Sequence, residues 1–131
     1  MLLSLAILGF CLALGWYIYT QYALLQHVKL CHSLHRLGWT LVTHSKCSAC
    51  SAQVRRLGPI CTRIVGEETC NCVDNTPSTC PPGGLCAQLH QANQLAFPMW
   101  VRLDAQKKHL LATEQGVKTW KELYALKKAS L

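Results

Sequence analysis

Between Met1 and Val28 the chain carries no Asp, Glu, Lys or Arg, and Leu, Ala, Ile, Phe, Trp and Tyr dominate positions 2–25. Such a stretch cannot join a soluble core. About twenty apolar residues at ~1.5 Å each cross the ~30 Å hydrocarbon layer of a membrane. Trp16, Tyr17, Tyr19 and Tyr22 suit the interfacial end of that helix. The expectation is a transmembrane anchor over 1–25. A cleaved signal peptide is the alternative, because Ala13-Leu14-Gly15 offers small residues for cleavage, although no positive charge precedes the apolar run.

Of the 131 residues, roughly a hundred remain to fold, enough for one small domain. Nine cysteines, all but Cys11 beyond the apolar stretch, exceed what a reduced cytosolic domain carries and point to thiol chemistry, structural disulfides or metal. Two rules disagree on orientation. Lys29, Arg36 and Lys46 follow the span and no basic residue precedes it, which favours a cytoplasmic domain. The cysteine density favours a compartment where disulfides persist, and it carries more weight here, so the domain is expected on the extracytoplasmic or lumenal side. The net charge of +7 is spread thinly, with no basic block interleaved with stacking aromatics, so nucleic acid is not an expected partner.

Val28, Leu30, Leu34 and Leu37 recur at near-helical spacing, which predicts a helical stalk over 26–38. His27, His32 and His35 are expected on its solvated face rather than around a metal. Beyond Gly38, the run Trp39-Thr40-Leu41-Val42-Thr43 reads as a buried strand. It leads through His44-Ser45-Lys46 into Cys47-Ser48-Ala49-Cys50, with a helix expected over 51–57 until Gly58-Pro59 stops it. Cys47 then lies at a helix N-terminus, where partial positive charge stabilises a thiolate, and the thiolate is the attacking species. A spacing of three residues puts Cys50 on the same helical face, able to resolve a mixed disulfide. Cys47 is the candidate nucleophile and Cys50 the resolving cysteine.

The second half continues with an expected strand at Cys61-Thr62-Arg63-Ile64-Val65 and a helix over 84–94. A hairpin follows from Met99-Trp100-Val101-Arg102-Leu103 and His109-Leu110-Leu111-Ala112-Thr113, and a last helix over 118–128 presents Trp120, Leu123, Tyr124 and Leu126. The predicted class is α/β, in the order β-α-β-α-β-β-α over 39–131, preceded by the membrane helix.

This order, with Cys-x-x-Cys opening the first helix and Phe97-Pro98 opening the hairpin, resembles the thioredoxin superfamily. Within it the chain is most similar to the thioredoxin-like domain associated with vitamin K epoxide reductase homologues. The resemblance implies a cis Phe97-Pro98 bond and a substrate-binding role for Phe97 and Pro98. It implies a structural disulfide between Cys72 and Cys86. Beside that pair, Cys70–Cys80 is read as a second bridge stapling the loop, and the alternative is that one of the two pairs relays electrons to Cys47–Cys50. The resemblance also implies a thiol-disulfide oxidoreductase acting on protein thiols and disulfides, with a quinone-linked redox partner in the membrane. No Trp precedes the redox pair, and Cys70 and Cys80 are additional to the family pattern.

The residues alone leave the pairing of Cys70, Cys72, Cys80 and Cys86 open, and give Cys31 and Cys61 no evident partner. Two other readings stand beside the oxidoreductase. One is a zinc-binding interaction module built from Cys47, Cys50 and two loop cysteines, against which Cys70-x-Cys72 has the wrong knuckle spacing. The other is a non-catalytic adaptor of the same fold. No organic cofactor or metal is expected, since the cysteine pair itself carries two electrons.

Overall fold

In the computed structural model, which describes residues 1–70, 84–91, 96–106 and 109–131, four helices surround a mixed four-stranded sheet. The elements follow the order α1 (Leu2–Arg36), β1 (Trp39–Thr43), α2 (Ser48–Val65), β2 (Glu67–Thr69), α3 (Leu85–Gln91), β3 (Met99–Leu103), β4 (Leu110–Gln115) and α4 (Trp120–Ala129). Spatially the strands run β2-β1-β3-β4, with β1 and β2 parallel and the other pairs antiparallel.

The period-two alternation of a strand sorts the core into two layers. Trp39 and Leu41 of β1 and Trp100 of β3 face one side, where they pack with Leu30, Cys31 and Leu34 of α1, Leu57, Cys61 and Val65 of α2, and Leu123 of α4. Val42, Met99 and Val101 face the other, against Cys70 and against Cys86, Ala87 and Leu89 of α3. Segment 26–38, expected as a stalk, is thus the end of one continuous helix and supplies three fully buried side chains to the core.

Chain reversal after α1 depends on Gly38. Its φ of 96° lies where side chains other than glycine are strained, and a Cβ there would run into the carbonyl of Leu103. The Gly38 carbonyl accepts the Leu103 N–H at 2.9 Å, and Arg102 Nε donates to the Leu37 carbonyl at 2.9 Å, locking the turn to the end of β3. At the other end of the sheet, His27 of α1 stacks on Trp120 with ring centroids 3.8 Å apart. Burial pushes the His27 imidazole below its ordinary pKa. Thr119 and Glu122 close a reciprocal capping box at the start of α4, and the Thr119 backbone N–H holds the Glu122 carboxyl below its usual range.

Two sequence expectations are corrected. Residues 61–65 are not a strand but the second half of α2. Gly58 (φ 82°, ψ 166°) breaks the helix, and Pro59 restarts it, since a first-turn residue needs no amide hydrogen. Thr62 Oγ1 donates to the Gly58 carbonyl at 2.8 Å, satisfying an acceptor at the kink. Leu57, Cys61 and Val65 then face the core at helical spacing, and their burial overrides the β-prone character of Thr62, Ile64 and Val65. The second strand falls instead on Glu67–Thr69, a short, polar edge strand exposed along its length, which hydrophobic alternation does not detect.

The disulfides also differ from expectation. Cys86 pairs with Cys70, not Cys72, with Cα atoms 5.6 Å apart. The Cys70 N–H donates to the Thr43 carbonyl at 2.8 Å, so pairing with β1 extends past β2 and sets Cys70, only 2 % exposed, beneath α3. A partner role for Cys70 toward Cys80 is thereby overturned, while Cys72 and Cys80 themselves lie outside the described residues. Cys31 and Cys61, unpaired in the sequence reading, form a buried disulfide between α1 and α2 with Cα atoms 5.5 Å apart. Each face of the sheet therefore carries one covalent staple.

Candidate functional site

Cys47 is the N-cap of α2, with extended backbone (φ −114°, ψ 110°), and its Sγ accepts the Cys50 N–H at 3.1 Å. The first turn of a helix leaves amide hydrogens without intrahelical partners, and here a sulfur occupies the place that a Ser or Asp oxygen takes in an ordinary cap. The two cysteines are joined as a disulfide with Cα atoms 5.2 Å apart. Their exposures differ: Cys47 is half-buried, whereas Cys50 is 3 % exposed. One sulfur thus reaches the surface and the other is held behind it.

The approach to Cys47 is fixed by the preceding loop. Cys47 N–H donates to the His44 carbonyl at 3.3 Å and Lys46 N–H donates to His44 Nδ1 at 3.1 Å, forming a tight turn at the end of β1. The His44 ring lies 5.5 Å from that of Phe97. Phe97-Pro98 is a cis peptide, Pro98 is fully buried, and its carbonyl accepts the Gly116 N–H at 2.9 Å. Met99 follows at once and pairs in register with Val42 of β1, which brings the proline segment to the sheet end that carries Cys47 and Cys50.

Two cavities of about 440 Å³ flank the pair. One is lined by His44, Lys46, Cys47, Ser48, Ala49 and Phe97, so the predicted nucleophile and Phe97 share a wall-to-wall opening. The other lies on the Cys50 side, among Thr43, His44, Arg55 and Glu67. Lys46 is the cationic group beside Cys47, and in the reduced form it adds positive potential next to the sulfur. His44 borders both openings, a position the sequence reading did not assign it; the only signal was its place three residues before the pair.

Sequence reasoning also missed Gln53. It is fully buried on α2, accepts Trp100 Nε1–H at 3.3 Å and the Lys118 N–H on one oxygen, and donates to the Lys118 carbonyl at 3.2 Å. It ties α2 to β3 and to the segment entering α4. Gln53→Leu is expected to cost about 2–4 kcal/mol, because it strands two buried donors and an acceptor. Denaturant unfolding followed by tryptophan fluorescence checks this.

Among the described residues no cluster of three His, Cys, Asp or Glu is arranged to hold a metal ion, and Cys47 and Cys50 are bonded to each other. No protein-family model and no curated protein matches the chain.

Proposed function

We propose that the chain is a membrane-anchored thiol-disulfide oxidoreductase whose thioredoxin-like domain exchanges disulfides with protein substrates through Cys47 and Cys50. The observation that carries this reading is the half-buried Cys47 sulfur at the N-cap of α2, accepting an amide hydrogen, with a buried partner sulfur three residues on. The cis Phe97-Pro98 segment beside the same opening supports it, as does the run of strands and helices from Trp39 to Ala129.

The exchange balances without a cofactor. In the reductive direction the Cys47 thiolate attacks one sulfur of a substrate disulfide, forming a mixed disulfide and releasing a substrate thiolate. Cys50, having lost its proton, then attacks Cys47 Sγ, which forms Cys47–Cys50 and releases the second substrate thiolate. The substrate gains two electrons and two protons, and the chain loses them. The oxidative direction is the same sequence reversed.

Helix α1 is long and apolar enough to cross a membrane, which supports an anchor over 1–25. Three disulfides support a domain on the extracytoplasmic or lumenal side, and a quinone-linked membrane protein is the proposed source or sink of electrons.

Equilibrating the detergent-solubilised chain in glutathione buffers of graded potential, then counting alkylated thiols by mass, tests the reading. The expected result is a two-electron transition confined to Cys47 and Cys50. A pair that never exchanges with glutathione, or that retains one zinc ion per chain once reduced, overturns it.

A further inference from the structure

Helices α1 and α4 run side by side in the same direction. His27 stacks on Trp120 at the start of α4, and Trp39 Nε1, just past the end of α1, donates to Ser130 Oγ at 3.0 Å at its close. Between them lies a cavity of about 330 Å³ that Lys29 and Arg36 line from α1 and Lys127 from α4, with Gln26 and Tyr124 adding an amide and a hydroxyl. A second cavity continues past Arg36 and Lys127 toward Leu37.

These charges are not neutralised by any of the described residues. The ion pair found among those is Lys118 with Glu114, in a different groove that Glu122 shares. Glu67 and Glu68 stand on β2 and Asp104 just past β3, so no acidic side chain among the described residues lines the groove between α1 and α4. A cation near a helix C-terminus complements the helix dipole, which accounts for Arg36 and Lys127 in their last turns. It does not account for Lys29, two turns before Arg36 on the same face.

We propose that this groove holds the phosphate headgroup of an anionic phospholipid, drawn from the leaflet in which the apolar part of α1 ends. The inference rests on the anchor reading and uses no part of the exchange chemistry. Continuity of α1 sets the height. Gln26 is the first residue past the apolar run, and Lys29 stands about 6 Å beyond Leu25 at ~1.5 Å per residue. The headgroup zone reaches about 5–7 Å beyond the hydrocarbon, so Lys29 lies at the level of the lipid phosphates. Arg36 lies about 10 Å farther out and Lys127 enters from α4, so both face the outer part of a headgroup seated against Lys29. Lipid phosphate is the anion held at high local concentration at that level, which favours it over an acidic peptide or free phosphate.

Native mass spectrometry of the detergent-solubilised full chain, titrated with dioleoyl phosphatidylglycerol or dioleoyl phosphatidylcholine, counts bound lipids and tests this. The first phosphatidylglycerol is expected to bind at least about fivefold more tightly than phosphatidylcholine, the contribution of roughly one cation at an anionic surface. Lys29→Gln/Lys127→Gln is expected to bring the two lipids within about twofold, whereas Lys29→Arg/Lys127→Arg keeps the preference. Arg56→Gln/Arg63→Gln, which removes the same charge from exposed sites on α2, is expected to leave it unchanged. Equal binding of the two lipids to the parent chain, or the same loss in the Arg56 and Arg63 variant, overturns the inference. Glycerol phosphate carries the headgroup without acyl chains and is expected to bind at least about tenfold more weakly. Binding as tight as that of the lipid makes the groove a soluble-phosphate site and overturns the lipid as its occupant. Flotation with phosphatidylcholine vesicles reads the anchor by itself: a chain that does not float sinks anchor and inference together, whereas one that floats without a lipid preference sinks only the inference.

Discussion

Cys50→Ser is expected to turn the chain from a catalyst into a trap, accumulating mixed disulfides through Cys47 that survive non-reducing electrophoresis and disappear with dithiothreitol. The reason lies in the unequal presentation of the two sulfurs. Cys47 meets the shared opening with Phe97 and is the sulfur proposed to attack first, while Cys50, buried behind it, is the one proposed to act on the adduct. Without the second sulfur the adduct has no intramolecular exit. Cys47→Ser is expected to abolish both adducts and turnover, a loss on the order of a thousandfold or more, because the nucleophile itself is gone. Adducts that form equally well through Cys50 when Cys47 is absent would contradict this assignment.

Removing the buried bridge in Cys31→Ala/Cys61→Ala is expected to destabilise the domain by about 3–4 kcal/mol. The bridge closes a segment with sequence separation 30, against 16 for Cys70–Cys86, and stabilisation by restricting the unfolded chain grows with loop length. The segment it closes includes the Gly38 reversal, β1 and the redox pair. Denaturant unfolding in detergent, with the Cys47–Cys50 state held constant, checks the figure. A change below about 1 kcal/mol would show that apolar packing around Leu30, Leu34 and Leu57 holds α1 in place unaided.

The parts of the fold legible in the sequence are those with strong local signals. Trp39–Thr43 and Met99–Leu103 are apolar and β-prone, and both are strands with the bounds expected from sequence. The Cys47 helix start announces itself through a strand ending in a polar turn, whereas the cis Phe97-Pro98 bond is expected from the family resemblance and not from the local sequence.

What failed was decided by distant packing. Residues 61–65 look β-prone in isolation, and only the core contacts of Cys61 and Val65 make them helical. Cys72–Cys86 is the pairing the family resemblance implies, and nothing local in the sequence distinguishes Cys70 from Cys72; the hydrogen bond from Cys70 to Thr43 is what sets Cys70 against Cys86. Cys31 has no evident partner in a helical stalk; in the fold Leu30 and Leu34 beside it are fully buried, which places its sulfur in the core. Gln53 gives no local sign at all, since its role consists of contacts to residues 47 and 65 positions away.

The account depends on Cys47 ionising readily at the mouth of α2. The pH dependence of iodoacetamide alkylation of the reduced chain, read at Cys47 by peptide mass, measures this directly. A midpoint below the ordinary thiol value of about 8.5, with Cys50 reacting far more slowly, is the predicted result. A midpoint at or above that value, or faster alkylation of Cys50, would contradict it.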